Sequence, residues 1–133
     1  MLQNTMFTPE SSWSVPDVFP QFSETETVAI DLETYDPHLM TCGPGWATGR
    51  GHVVGIGVAV KDWQGYFPIR HTGGGNLDET VVIRWLSNLL SSEKRDVIFH
   101  NALYDVGWLR REGITVKGKI LDTIVAAPLI DEN

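Results

Sequence analysis

The segment Thr27-Val28-Ala29-Ile30-Asp31-Leu32-Glu33 decides how this chain folds. Val28, Ile30 and Leu32 alternate with Ala29, Asp31 and Glu33, the period of two that a strand imposes. One side of the strand is apolar throughout, and the other carries two carboxylates about 7 Å apart. Such a strand is expected near the centre of its sheet. Two like charges held that close, in a partly buried place, raise each other's pKa unless positive charge compensates. No Lys or Arg lies between Asn4 and Gly49, so the local sequence offers no cation. A divalent metal answers that need, because carboxylate oxygen is the ligand that Mg²⁺ and Mn²⁺ prefer. The same D-x-E also describes a strand end entering solvent, so the pair needs support from elsewhere in the chain.

Outward from this strand, Tyr35 to Gly51 holds Pro37, Pro44 and four glycines and reads as a long turn-rich connection. His52–Lys61 is a second, largely buried strand. Gln64–Arg70 is a third, antiparallel to it across the short turn at Asp62. Gly73-Gly74-Gly75 then breaks the chain. Asn76 and Glu79 have capping-box spacing, and Val82, Trp85, Leu86 and Leu89 form the apolar stripe of a helix running to about Ser91. Asp96–His100 is a fourth strand. Asn101 stands where it can cap the next helix, which ends near Gly113. Lys119–Leu121 suggests a fifth strand, and a last helix with Pro128 inside it begins at Asp122. The order β-β-β-α-β-α-β-α predicts an α/β fold, a mixed sheet of about five strands with the first three antiparallel and helices flanking it. That is the arrangement a ribonuclease H-like fold gives.

The bulk properties bound the rest. At 133 residues, 42% apolar and 20% charged, the chain suits one globular domain with a single core. Residues 1–25, with Pro9, Pro16 and Pro20 among small polar residues, read as a leader that docks in places, and 26–133 as the domain. No apolar run is long enough for a membrane helix, and no basic-then-apolar start marks a signal peptide. The lone Cys42 excludes an internal disulfide and a thiolate metal site, and suits a reducing cytoplasm. A net charge of −7 argues against binding nucleic acid by a broad basic surface. The acidic excess is either an ordinary soluble surface or, in part, carboxylates converging on bound cations. Gly55-Ile56-Gly57 and Gly73–Gly75 lack the spacing of nucleotide-binding loops and read as strand and turn glycines. The four histidines show no metal-binding spacing.

Asp105 is the supporting acid. It follows the fourth strand in His100-Asn101-Ala102-Leu103-Tyr104-Asp105, one turn into a helix, at the C-terminal end of a strand where α/β sites form. Alone it would pass as a first-turn acid complementing the helix dipole. Together, Asp31-Leu32-Glu33-Thr34 and Asn101-x-x-x-Asp105 resemble the first two motifs of the DEDD 3′–5′ exonucleases. Tyr before Asp105, and Leu121-Asp122-Thr123 later, narrow the resemblance to the proofreading domain of family A DNA polymerases, phage ones in particular. It covers Val28 to Asn133.

The resemblance implies a set of roles. Asp31 would bridge two Mg²⁺ or Mn²⁺ ions, Glu33 would bind the first and orient the attacking water, and Asp105 would hold the second. Thr34, Asn101 and Tyr104 would lie beside the terminal nucleotide, and Asp122 would support the site from behind. The reaction would be two-metal hydrolysis of the last phosphodiester of a single-stranded DNA 3′ end. A polymerase domain or subunit would be the partner, in a cytoplasm that is the host's if the gene is a phage's. The family's third motif, Y-x-x-x-D or H-x-x-x-x-D, normally comes several helices after the Asp122-Thr123 segment, and it has no counterpart there, since no Tyr follows Tyr104 and no His follows His100. Asp131 lies too close to serve. The expectation is therefore a chain truncated before the last helices, with weak metal binding and little hydrolysis. Two alternatives remain open at this point: an inactive ribonuclease H-like module binding nucleic acid or a partner, and a stand-alone ribonuclease D-like nuclease.

Overall fold

The computed structural model describes residues 14–130, so residues 1–13 of the leader and Asp131 lie outside it. β1 runs Val28–Tyr35, two residues past Glu33. Val28, Ile30 and Leu32 are buried while Asp31 and Glu33 are exposed, so the alternation in sequence becomes two faces of a strand. β2 (His52–Val60) and β3 (Trp63–Pro68) follow as antiparallel neighbours. β4 (Val97–Phe99) pairs parallel with β1, and β5 (Ile120–Asp122) pairs parallel with β4. The sheet order is β3-β2-β1-β4-β5, which puts the acidic strand in the middle as expected.

The connection after β1 is more ordered than its Pro and Gly content suggests. It contains two single-turn helices, α1 (Leu39–Cys42) and α2 (Gly45–Thr48). Three longer helices follow: α3 (Glu79–Leu89), α4 (Ala102–Arg111) and α5 (Thr123–Ile130). The caps of α3 and α4 differ from expectation. Asp78, not Asn76, caps α3, accepting the Val81 N–H at 3.1 Å. Asn76 instead closes the preceding loop through its side chain, bonding both backbone groups of His71. Asn101 does stand at the N-cap of α4, but in a left-handed conformation (φ 71°) with no side-chain capping bond.

The core lies on the face of the sheet opposite Asp31 and Glu33. Val28, Ile30, Val58, Phe67 and Phe99 meet Val82 and Leu86 of α3 and Trp108 and Leu109 of α4. Residues 19–26 dock against it. Phe19 stacks on Phe67 (5.6 Å between centroids) and leans on Trp85, whose indole N–H donates to the Pro20 carbonyl at 3.1 Å. Arg95, only 3% exposed, donates to the carbonyls of Leu89, Ser23 and Glu26. The other face is built from small residues, Ala29 paired with Ala59 and Asp31 with Gly57. A cavity of about 610 Å³ lies over it.

Candidate metal centre

The buried stripe of α4 reads Ala102, Asp105, Trp108 and Leu109. An acid thus occupies a position whose helical neighbours are all core residues. Asp105 is 3% exposed, and its Oδ2 is buried with no hydrogen-bond partner. Its pKa is pushed up to about 7, first by burial and then by the charges of Asp31 and Asp122. A carboxylate that is buried, unpartnered and repelled by two acids is an electrostatic deficit awaiting positive charge. A divalent cation between Asp105 and Asp31 fits that deficit, and the donor set is the hard oxygen that such ions prefer.

The expected residues come together in groups. Asp31 and Asp105 lie within reach of each other's charge. Glu33 is on the same exposed face as Asp31, and its charge reaches Tyr66 of β3. Among the described residues no three His, Cys, Asp or Glu side chains stand close enough together to hold a metal ion. Thr34, turned by a bulge in the β1–β2 pairing after Glu33, meets Tyr104 at 2.9 Å between hydroxyls. The Tyr104 hydroxyl also donates to Asp36 at 2.9 Å, and its ring sits edge-on to Trp108. Burial pushes this phenol above its ordinary pKa.

Asp122 caps α4 from the end of β5. It accepts the N–H groups of Asn101 and Ala102 at 2.9 Å, and of Ile124 at 3.0 Å. Burial alone would raise its pKa, but these backbone donors and His100 outweigh that and hold it low. The site-facing start of α4 is thereby tied to the sheet. Thr123 adds a second tie, its hydroxyl bonded to His100 Nδ1 at 2.9 Å and to the Phe99 carbonyl at 3.2 Å.

Sequence reasoning missed two residues here. Asp36 accepts from both Tyr104 and the Gly45 backbone at 2.9 Å, anchoring the loop after β1 to α4. Tyr66 lines the same cavity as Asp31. Its only signal in the sequence was the pair Gly55 and Gly57, whose bare backbone leaves the phenol its space.

A family profile described as 3′–5′ exonuclease matches residues 8–133. The DNA-directed DNA polymerase of Pseudomonas phage M6 is 39% identical over 98% of this chain and 21% of its own length. DNA polymerase I of Borreliella burgdorferi is 26% identical over 88% of this chain and 12% of its own. The chain therefore spans about a fifth or less of these relatives. Among solved structures, the catalytic core of RRP6 from Trypanosoma brucei superposes with a TM-score of 0.56 at 17% identity, over 77% of this chain and 24% of that one. E. coli exonuclease I in a complex with single-stranded DNA superposes at 0.55 with 11% identity, over 80% and 30%. These likenesses establish a ribonuclease H-like fold.

Proposed function

The chain belongs to the 3′–5′ exonuclease family of DNA polymerases, and on that premise we propose that Asp31, Glu33 and Asp105 are its metal-binding carboxylates, with residues 26–133 as the exonuclease domain. The observation that carries this is the unpartnered, buried Oδ2 of Asp105, facing the charge of Asp31. The family generally uses divalent metals, and the ions proposed here are Mg²⁺ or Mn²⁺. When bound, two such ions supply the Lewis-acid charge that activates water and stabilises the leaving 3′ oxygen.

The chain's own residues do the remaining work. Asp31 and Glu33 present their carboxylates from a rigid central strand, which fixes their spacing. Asp105 is fixed by the buried stripe of α4, and α4 is fixed by Asp122. The Thr34–Tyr104–Asp36 chain of hydrogen bonds closes the side of the site where the terminal nucleotide is proposed to lie. Asn101, exposed at the α4 start, is a contact for that nucleotide. The substrate is taken as a single-stranded DNA 3′ end, because the relatives at the sequence level are DNA polymerases. A polymerase domain is the partner that this reading implies, in a cytoplasmic setting. No helix of the described residues is long and apolar enough to cross a membrane.

These 133 residues supply three of the acids that the resemblance calls for, and no Tyr or His follows Asp122, so neither Y-x-x-x-D nor H-x-x-x-x-D occurs beyond it. A protein of these residues alone is expected to bind Mn²⁺ weakly and to shorten a 3′-labelled oligonucleotide slowly or not at all. Calorimetric titration should show Mn²⁺ binding that Asp31→Ala removes. No Mn²⁺ binding at millimolar metal would defeat the metal-site reading. Rapid stepwise shortening abolished by Asp31→Ala would instead defeat the expectation of weak activity.

A further inference from the structure

On the open face of the sheet, Tyr66 of β3 pairs with Gly57 of β2, and Gly57 pairs with Asp31 of β1. With no side chain on Gly57 to stand in its way, the phenol leans along β2. Its hydroxyl and ring occupy the space where a Cβ on Gly55 would be. Gly55 is the register partner of Glu33. The phenol therefore ends one strand away from Glu33, and Tyr66 and Asp31 line one cavity of about 610 Å³. From the outer side, His71 Nε2 lies 2.5 Å from the hydroxyl; with the ring proton on Nε2 the imidazole donates and the phenol oxygen accepts, and Asn76 closes the loop that carries His71. A phenol is protonated at neutral pH, so Tyr66 is a neutral donor beside acids.

We propose that Tyr66, held by His71, donates a hydrogen bond to a non-bridging phosphate oxygen of the single-stranded 3′ end lying over Asp31 and Glu33. This rests on the acid-site reading given above. A neutral hydroxyl suits the place chemically. A Lys or Arg there would pair with Glu33 and compete with the cation, whereas a phenol contacts phosphate without neutralising the acids. The glycine lane is what lets a residue from the sheet edge lie across β2, beside the central strand.

Fluorescence anisotropy with a 5′-fluorescein single-stranded DNA decamer in Mn²⁺, its integrity checked on a gel, tests this. Tyr66→Phe should weaken binding by about tenfold or more, the loss of one hydrogen bond to a charged acceptor. That loss should disappear with a probe whose terminal linkage is a methylphosphonate. His71→Ala should lose about half as much on a logarithmic scale, and it carries the test if Tyr66→Phe does not fold. Mn²⁺ affinity by calorimetry should stay unchanged in both variants and fall in Asp31→Asn. If both variants bind the DNA as wild type does while Asp31→Asn loses Mn²⁺ and DNA together, the assignment to Tyr66 is overturned and the acid site stands. If Asp31→Asn also leaves both affinities unchanged, the acid-site reading fails and the Tyr66 assignment fails with it.

Discussion

Asp105 stands three residues before Trp108 on the buried stripe of α4, where an apolar side chain would fill the same space without cost. Its carboxyl releases a proton near 3.8 when the chain is unfolded and near 7 when it is folded. Between those values the folded state holds more protons, so stability without metal falls as pH rises through the window. The full penalty is present above about 7 and absent below about 4. Asp105→Asn should therefore stabilise the metal-free protein at pH 8, by at most ~4 kcal/mol at about 1.4 kcal/mol per unit. The gain should vanish at pH 4. Urea melts in EDTA would check it, and a variant less stable than wild type at pH 8 would show that the carboxylate is not strained. Asp31 and Glu33 were readable as a pair because a period of two and the missing local cations leave few explanations. Asp36 and Tyr66 were not. Asp36 gains its role from a tyrosine 68 positions away, and Tyr66 from a pairing register two strands deep.

At the scale of the element, α4 is positioned by contacts that its own sequence barely advertises. Gly107 sits mid-helix, where Ala would ordinarily be favoured by up to ~1 kcal/mol. Here a Cβ at Gly107 would run into the indole of Trp46 from α2, and α2 lies against α4 through that close approach. Gly107→Ala is expected to lower stability by ~1–3 kcal/mol, the usual cost of overpacking. In a Trp46→Ala background the same change should raise it. Thermal melts of the four proteins give the comparison, and the same sign in both backgrounds would remove Trp46 from the explanation. The strands and helices themselves were legible because apolar periodicity reports burial directly. Their caps were less so, since Asn76 and Asp78 are both competent cap residues. The loop closed on His71 takes the first and leaves the second to α3.

At the scale of the whole molecule, two arginines fasten parts that are far apart in sequence. Arg70 joins the end of the antiparallel strands to α4 through a two-pronged pair with Glu112 (2.6 and 3.0 Å), and to α3 through Glu79 at 2.7 Å. These partners and the hydrogen bonds they make raise its guanidinium pKa against the opposing effect of burial. Arg95 pins residues 23–26 to the α3–β4 junction with three carbonyl bonds. Arg95→Met should leave those carbonyls unpaired, cost on the order of 3 kcal/mol, and open the segment before Glu26 to chymotrypsin. Protection equal to wild type would mean that Phe19 and Phe22 hold the segment unaided. Composition pointed to a loosely tethered leader, and only the fold shows that an arginine some 70 positions on is the tether.

The last helix points to the behaviour of the purified protein in the tube. None of the side chains of α5 is buried, and Ile124, Val125, Leu129 and Ile130 are between 46% and 86% exposed. Eight residues are too few to hold a helix by their own backbone bonds. Deuterium should replace the α5 amides long before those of β1, and so apolar a surface favours clumping as concentration rises. Light scattering against concentration, and a dye that brightens on oily surfaces, should both register it. Ile124→Ser with Leu129→Ser should quiet both without disturbing the sheet.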